Sequence, residues 1–170
     1  MIPTHLRTTI IGVLSAALLS GCSAPSITLA VPSIVVPAET TAGTVCYAAG
    51  EAATTLRVRS ATYRATATYR SDGDLIGTSD DVEVRIFGRA TAPPSPCGAI
   101  GGDDKVLGGP FTLTLDESRP VVVGEGAAGE TLAELVAGGQ YWIGVALDTG
   151  LSLGGARTIT FDEGRVTLTF

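Results

Sequence analysis

Leu56-Arg57-Val58-Arg59-Ser60-Ala61-Thr62-Tyr63-Arg64-Ala65-Thr66-Ala67-Thr68-Tyr69-Arg70 is the stretch that sets the fold class. From Ala61 onward, alanines and tyrosines (Ala61, Tyr63, Ala65, Ala67, Tyr69) occupy one parity and threonines and arginines the other. Successive side chains of a strand point to opposite faces, so this period of two belongs to a β-strand and not to a helix. Threonine and tyrosine also suit a pleated, half-buried surface. Leu56 and Val58 stand on the other parity, which predicts a bulge or break near Ser60 that re-aims the second half.

The same alternation extends along the chain. Thr44 to Ala49 reads as a short strand, and Ser71-Asp72-Gly73-Asp74 carries turn chemistry. Val82, Val84 and Ile86 then oppose Glu83, Arg85 and Arg89, the pattern of a sheet with one wet face. Thr91 to Gly109, with Pro93, Pro94 and Pro96, reads as an irregular loop, after which Phe111, Leu113 and Leu115 resume the alternation. Pro120 to Gly124 gives another strand, and Thr131 to Ala137 one helical turn stopped by Gly138 and Gly139. Arg157–Phe161 and Arg165–Phe170 flank Asp162-Glu163-Gly164, which predicts a hairpin. About seven to nine short strands between turn signals predict an all-β antiparallel sandwich.

Leu135-Val136-Ala137-Gly138-Gly139-Gln140-Tyr141-Trp142-Ile143-Gly144-Val145 resembles the Leu-x-x-Gly-x-x-Tyr corner of fibronectin type III and other immunoglobulin-like domains, without the usual proline after the leucine. The resemblance implies an immunoglobulin-like sandwich in which the Tyr141 hydroxyl bonds to backbone upstream while Ile143, Val145 and Leu147 point inward.

At the other end, Arg7 precedes an apolar run from Ile10 to Leu19, too short for a spanning helix of about 20 residues. Leu19-Ser20-Gly21-Cys22 closes that run and resembles the lipobox of bacterial lipoproteins. The resemblance implies a signal peptide over residues 1–21, removal of that segment, and acylation of Cys22, which becomes the N-terminus. Ser23, where some lipoproteins carry an aspartate, is similar to those sent on to an outer membrane. Each buried methylene contributes about 0.8 kcal/mol, so two or three chains would anchor the protein stably. Residues 22–41 would form a lipidated tether or a first edge strand, since Ile27, Leu29 and Val31 alternate and Ile34-Val35-Val36 lie between Pro32 and Pro37. Residues 42–170 would form the sandwich domain.

Removing the first 21 of 170 residues leaves 149, the size of one domain. Ten basic against seventeen acidic side chains give this part a formal charge of −7, which argues against a nucleic-acid partner. The only histidine, His5, lies in the signal segment. Ser-His-Asp and Cys-His nucleophile systems, histidine-ligated metals and histidine bases are therefore excluded from the mature part, and no cofactor is implied. With Cys22 taken by lipid, Cys46 and Cys97 are the remaining pair in an oxidising compartment and are expected to form a disulfide.

Carboxylate-only chemistry survives this filter. Asp72, Asp74, Asp80 and Asp81 lack the spacing of a calcium loop and read as turn residues. No pair among Glu51, Glu83, Glu125, Glu130, Glu134 and Glu163 stands out as the acid and base of a glycosidase. Trp142, joined by Tyr63 and Tyr69 if they face outward, is the candidate partner surface. These features together lead to a non-enzymatic, lipid-anchored envelope protein acting as a structural or accessory subunit that binds another envelope component. A membrane-tethered ligand- or glycan-binding module is the alternative, and a small carboxylate enzyme the third reading.

Overall fold

The computed structural model describes residues 24–52, 57–71, 81–148, 153 and 157–170. Two antiparallel sheets make a sandwich. The first contains β1 (Ser26–Ala30), β2 (Ile34–Val36), β4 (Ser60–Ser71), β8 (Ser118–Val123) and β10 (Arg157–Thr169), in the order β1-β10-β4-β8 with β2 also on β10. The second contains β3 (Thr44–Glu51), β5 (Asp81–Arg89), β6 (Cys97–Ala99), β7 (Lys105–Thr114) and β9 (Gln140–Leu147), in the order β6-β3-β9-β5-β7. The strands number ten among the described residues because β2 and β6, three residues each, add to the longer strands legible as alternation.

β4 carries the decisive alternation into three dimensions. Its Ala61, Tyr63, Ala65, Ala67 and Tyr69 are buried between the sheets, while Arg64 and Arg70 are exposed on the outer face. The parity change at Ser60 coincides with the start of the strand, where the Arg59 N–H bonds to the Thr169 carbonyl at 2.8 Å. The interior is completed by Ile86, Leu113, Ile143, Ile159 and Phe161, each at most 1% exposed. Across from Tyr141, the register places Gly50, and a Cβ at residue 50 would overlap the tyrosine ring. The absent side chain makes room for the phenol.

Three expectations are corrected by this arrangement. Residues 157–169 form one strand with a bulge at Asp162/Arg165 and not a hairpin. Both halves of β10 stay on β4, and Glu163 takes φ 55 to absorb the extra length. The opposite edge of β10 is filled by β1 below the bulge and β2 above it, with the Val31 N–H on the Gly164 carbonyl at 2.8 Å between them. The long loop expected over 91–109 ends earlier, because β6 pairs with β3 and β7 begins at Lys105.

The expected single helical turn is the helix α1 (Ala127–Ala137). Its buried Gly129, Leu132, Ala133 and Val136 recur at i, i+3, i+4 and i+7, the spacing of a one-sided apolar face. Gly139, at φ 92, stops it where a side chain would be strained. Residues 26–30 and 34–36 are thus built into the first sheet by pairing with β10. Among the described residues no helix is long and apolar enough to cross a membrane.

Candidate functional site

The structure scatters the residues singled out from sequence. Cys46 and Cys97 form the expected disulfide, with an S–S distance of 2.12 Å and opposed positions in the β3/β6 pairing. Cys22 lies outside the described residues, as do Asp72, Asp74 and Asp80. Tyr63 and Tyr69 are 0% exposed and face the interior, which corrects their placement on a surface with Trp142. The physical reason is the neighbouring arginines: Arg64 and Arg70 need water, so the other parity, tyrosines included, must turn inward. Trp142 is half-buried on the outer face of the second sheet, opposite Ala49 on β3 and Arg89 on β5. The Tyr141 hydroxyl is buried and has no hydrogen-bond partner among the described residues, so the backbone bond implied by the corner motif is not made there. Burial alone raises the Tyr141 phenol to about 12, and Tyr63 is raised by burial and by the nearby Tyr141.

A polar cluster that the sequence did not reveal sits on the outer face of the second sheet. The Tyr47 hydroxyl donates to Asp104 Oδ1 at 2.7 Å, and the Gly101 N–H donates to Oδ2 of the same carboxylate at 2.7 Å. Arg89 donates through Nε to the Thr91 carbonyl at 2.8 Å, lies 3.6 Å from Asp104 and 3.4 Å from Asp103, and stacks over the Tyr47 ring. Burial and the bond to Asp104 push the Tyr47 phenol up to about 12. Each polar group is committed to another, so the cluster fastens the 90–104 segment to the face that carries Tyr47 and the small buried group of Val45, Phe87 and Ala146. Gly101-Gly102-Asp103-Asp104, a turn composition, was the available signal.

The groove of most chemical interest lies at the Ser26 end of the sandwich. It measures about 830 Å³ and is lined by Arg57, Val58 and Arg59 on one side, Glu130, Ala133, Glu134 and Ala137 of α1 on the other, and Phe170. Local pairing builds it. Arg59 is fixed by its bond to Thr169, and the Phe170 N–H donates to the Pro25 carbonyl at 3.1 Å, bringing the chain just ahead of β1 to the rim. Val58 and Phe170 rest on the core, while both arginines and both glutamates are exposed. None of these four makes an ion pair or side-chain hydrogen bond among the described residues. Oppositely charged groups therefore line the same groove without pairing among the described residues.

A smaller hollow of about 220 Å³ lies on the outer face of the first sheet, between Arg64, Arg165, Glu163, Thr66 and Val122. Arg64 and Arg165 are direct cross-strand neighbours, a like-charge pairing that weakens a sheet. Among the described residues no group of three or more His, Cys, Asp or Glu side chains could hold a metal ion. No protein-family model matches the chain, and no curated protein is significantly similar to it.

Proposed function

We propose that the protein is a non-enzymatic lipoprotein of the bacterial envelope, acylated at Cys22 and held on the extracytoplasmic side, on the outer membrane where the cell has one. There it acts as a structural or accessory subunit that binds another envelope component. The observation that supports this most is the Leu19–Cys22 quartet together with the start of β1 at Ser26. Four residues span at most about 14 Å, so an acylated Cys22 would hold the body directly against the bilayer. A partner would then have to be met at the membrane surface.

The alternative, a glycan-binding module, loses support from the burial of Tyr63 and Tyr69, which cannot stack on a sugar ring. Trp142 remains as a half-buried aromatic beside Arg89 and is the residue to test for partner contact. Affinity purification after mild detergent extraction is expected to recover a stoichiometric envelope partner, and Trp142→Ala to lose it. Recovery of monomer alone under several mild detergents would count against the accessory role.

A further inference from the structure

We propose that the groove between α1 and residues 57–59 binds a phosphoethanolamine headgroup, taken from a lipid of the membrane that carries the protein. The assignment to lipid rests on the anchored reading above. The headgroup chemistry rests on the groove itself. Arg57 and Arg59 supply two guanidiniums, whose forked donors match phosphate oxygens. Glu130 and Glu134, one turn apart on α1, place two carboxylates side by side, an arrangement that repels itself and that a cation relieves.

All four charges are exposed and unpaired with one another among the described residues. A ligand carrying an anion and a cation a few bonds apart satisfies both walls at once. A purely anionic headgroup would face the two glutamates. A choline would present no N–H to them. An ethanolamine ammonium has three donors for the carboxylates. The volume of about 830 Å³ lies in the range of small-molecule sites, and Val58, Ala133, Ala137 and Phe170 offer apolar surface for the glycerol end.

Position favours a lipid over a free metabolite. Pro25 is bonded to Phe170 at the rim, and Cys22 precedes Pro25 by three residues, at most about 11 Å of extended chain. An acyl anchor at Cys22 would therefore bring headgroups to the mouth of the groove.

The test is calorimetric titration of the full chain carrying Cys22→Ser, so that no acyl chain of its own competes, with dihexanoyl phosphatidylethanolamine below its micelle concentration. Parallel titrations use the phosphatidylglycerol and phosphatidylcholine analogues and free phosphoethanolamine. The ethanolamine lipid is expected to bind about tenfold more tightly than each of the other three. Arg57→Ala with Arg59→Ala should weaken it at least about tenfold, and Glu130→Gln with Glu134→Gln should erase the preference over phosphatidylglycerol. All four substitutions are at exposed positions, and melting curves of the variants that match the wild type will show that each is folded. Absence of saturable heat, equal affinity for all lipids, or unchanged binding by both double variants would overturn the site. Free phosphoethanolamine binding as tightly as the lipid would overturn the membrane source. Mass analysis of Cys22 in the wild-type protein separates the two ideas, because an unacylated cysteine with the expected titration sinks the anchor and leaves the headgroup site standing.

Discussion

The outer faces of the two sheets differ in what covers them. On the second sheet, Val45, Phe87 and Ala146 form a small buried cluster on the side away from the interior, with Tyr47 packed against it, and the 90–104 segment is bonded down on the same face through Arg89, Asp103, Asp104 and Tyr47. On the first sheet, the outer face is a run of threonines, Thr62, Thr66, Thr68, Thr160 and Thr167, interrupted by exposed Arg64, Arg70 and Arg165. Nothing from the described chain roofs it. One face has become a second small core while its counterpart remains an ordinary wet surface. A face is made buried by distant chain as much as by its own residues.

The largest expected effect falls on the covered face and the interior together, at high pH. Tyr47 and Tyr141 have phenols raised to about 12, and Tyr63 is raised as well. An unfolded tyrosine ionises near pH ~10. Between these values the unfolded chain binds fewer protons than the folded one, so stability is complete below pH ~10 and is lost as pH climbs toward ~12. Melting temperature against pH checks this, and a flat profile to pH ~12 would show that the phenols are not confined as described.

Next in size is the bridge beside the covered face. Cys46→Ala with Cys97→Ala should cost about 4 kcal/mol by chemical denaturation, the chain-entropy value for a loop of this length. Hydrogen exchange should accelerate first in 90–104 and leave β4 and β10 slow. Equal acceleration in both sheets would erase the distinction drawn between them.

Asp104→Ala follows, at about 2–3 kcal/mol, because its side chain is 0% exposed and its removal takes away the acceptor of the Tyr47 hydroxyl proton and the charge beside one flank of Arg89. Asp103→Ala should cost less than about 1 kcal/mol, since that carboxylate is 65% exposed. A reversed order would mean that the outer carboxylate holds the roof. The smallest effect belongs to the bare face. Arg165→Thr should stabilise by about 0.2–1 kcal/mol by removing the cross-strand repulsion with Arg64, and a loss of stability would show that the pair is accommodated.

Much of the sandwich was legible because alternation is a local property. The faces of β4 and β5 follow from Ala61–Tyr69 and Val82–Ile86 without reference to any partner. Asp162-Glu163-Gly164 misled because a turn and a bulge draw on the same residues, and only pairing of both halves of β10 with β4 decides between them. The N-terminal turn of α1 was missed because Ala127, Ala128 and Gly129 carry no amphipathic signal. Its Gly129 is instead required by close approach to the Gly124 carbonyl.

The candidate groove was illegible for a further reason. Arg57, Glu130 and Phe170 are far apart in sequence and meet only once β4, α1 and the C-terminus have docked. Tyr63 and Tyr69 could have been placed inward from the arginines that follow each of them.

The measurement that bears most directly on the central claim is intact-mass and peptide mass spectrometry of the protein extracted from membranes. The account predicts a chain that begins at Cys22 and carries a diacylglyceryl group on its sulfur. A chain that keeps residues 1–21 and an unmodified Cys22 thiol would contradict it.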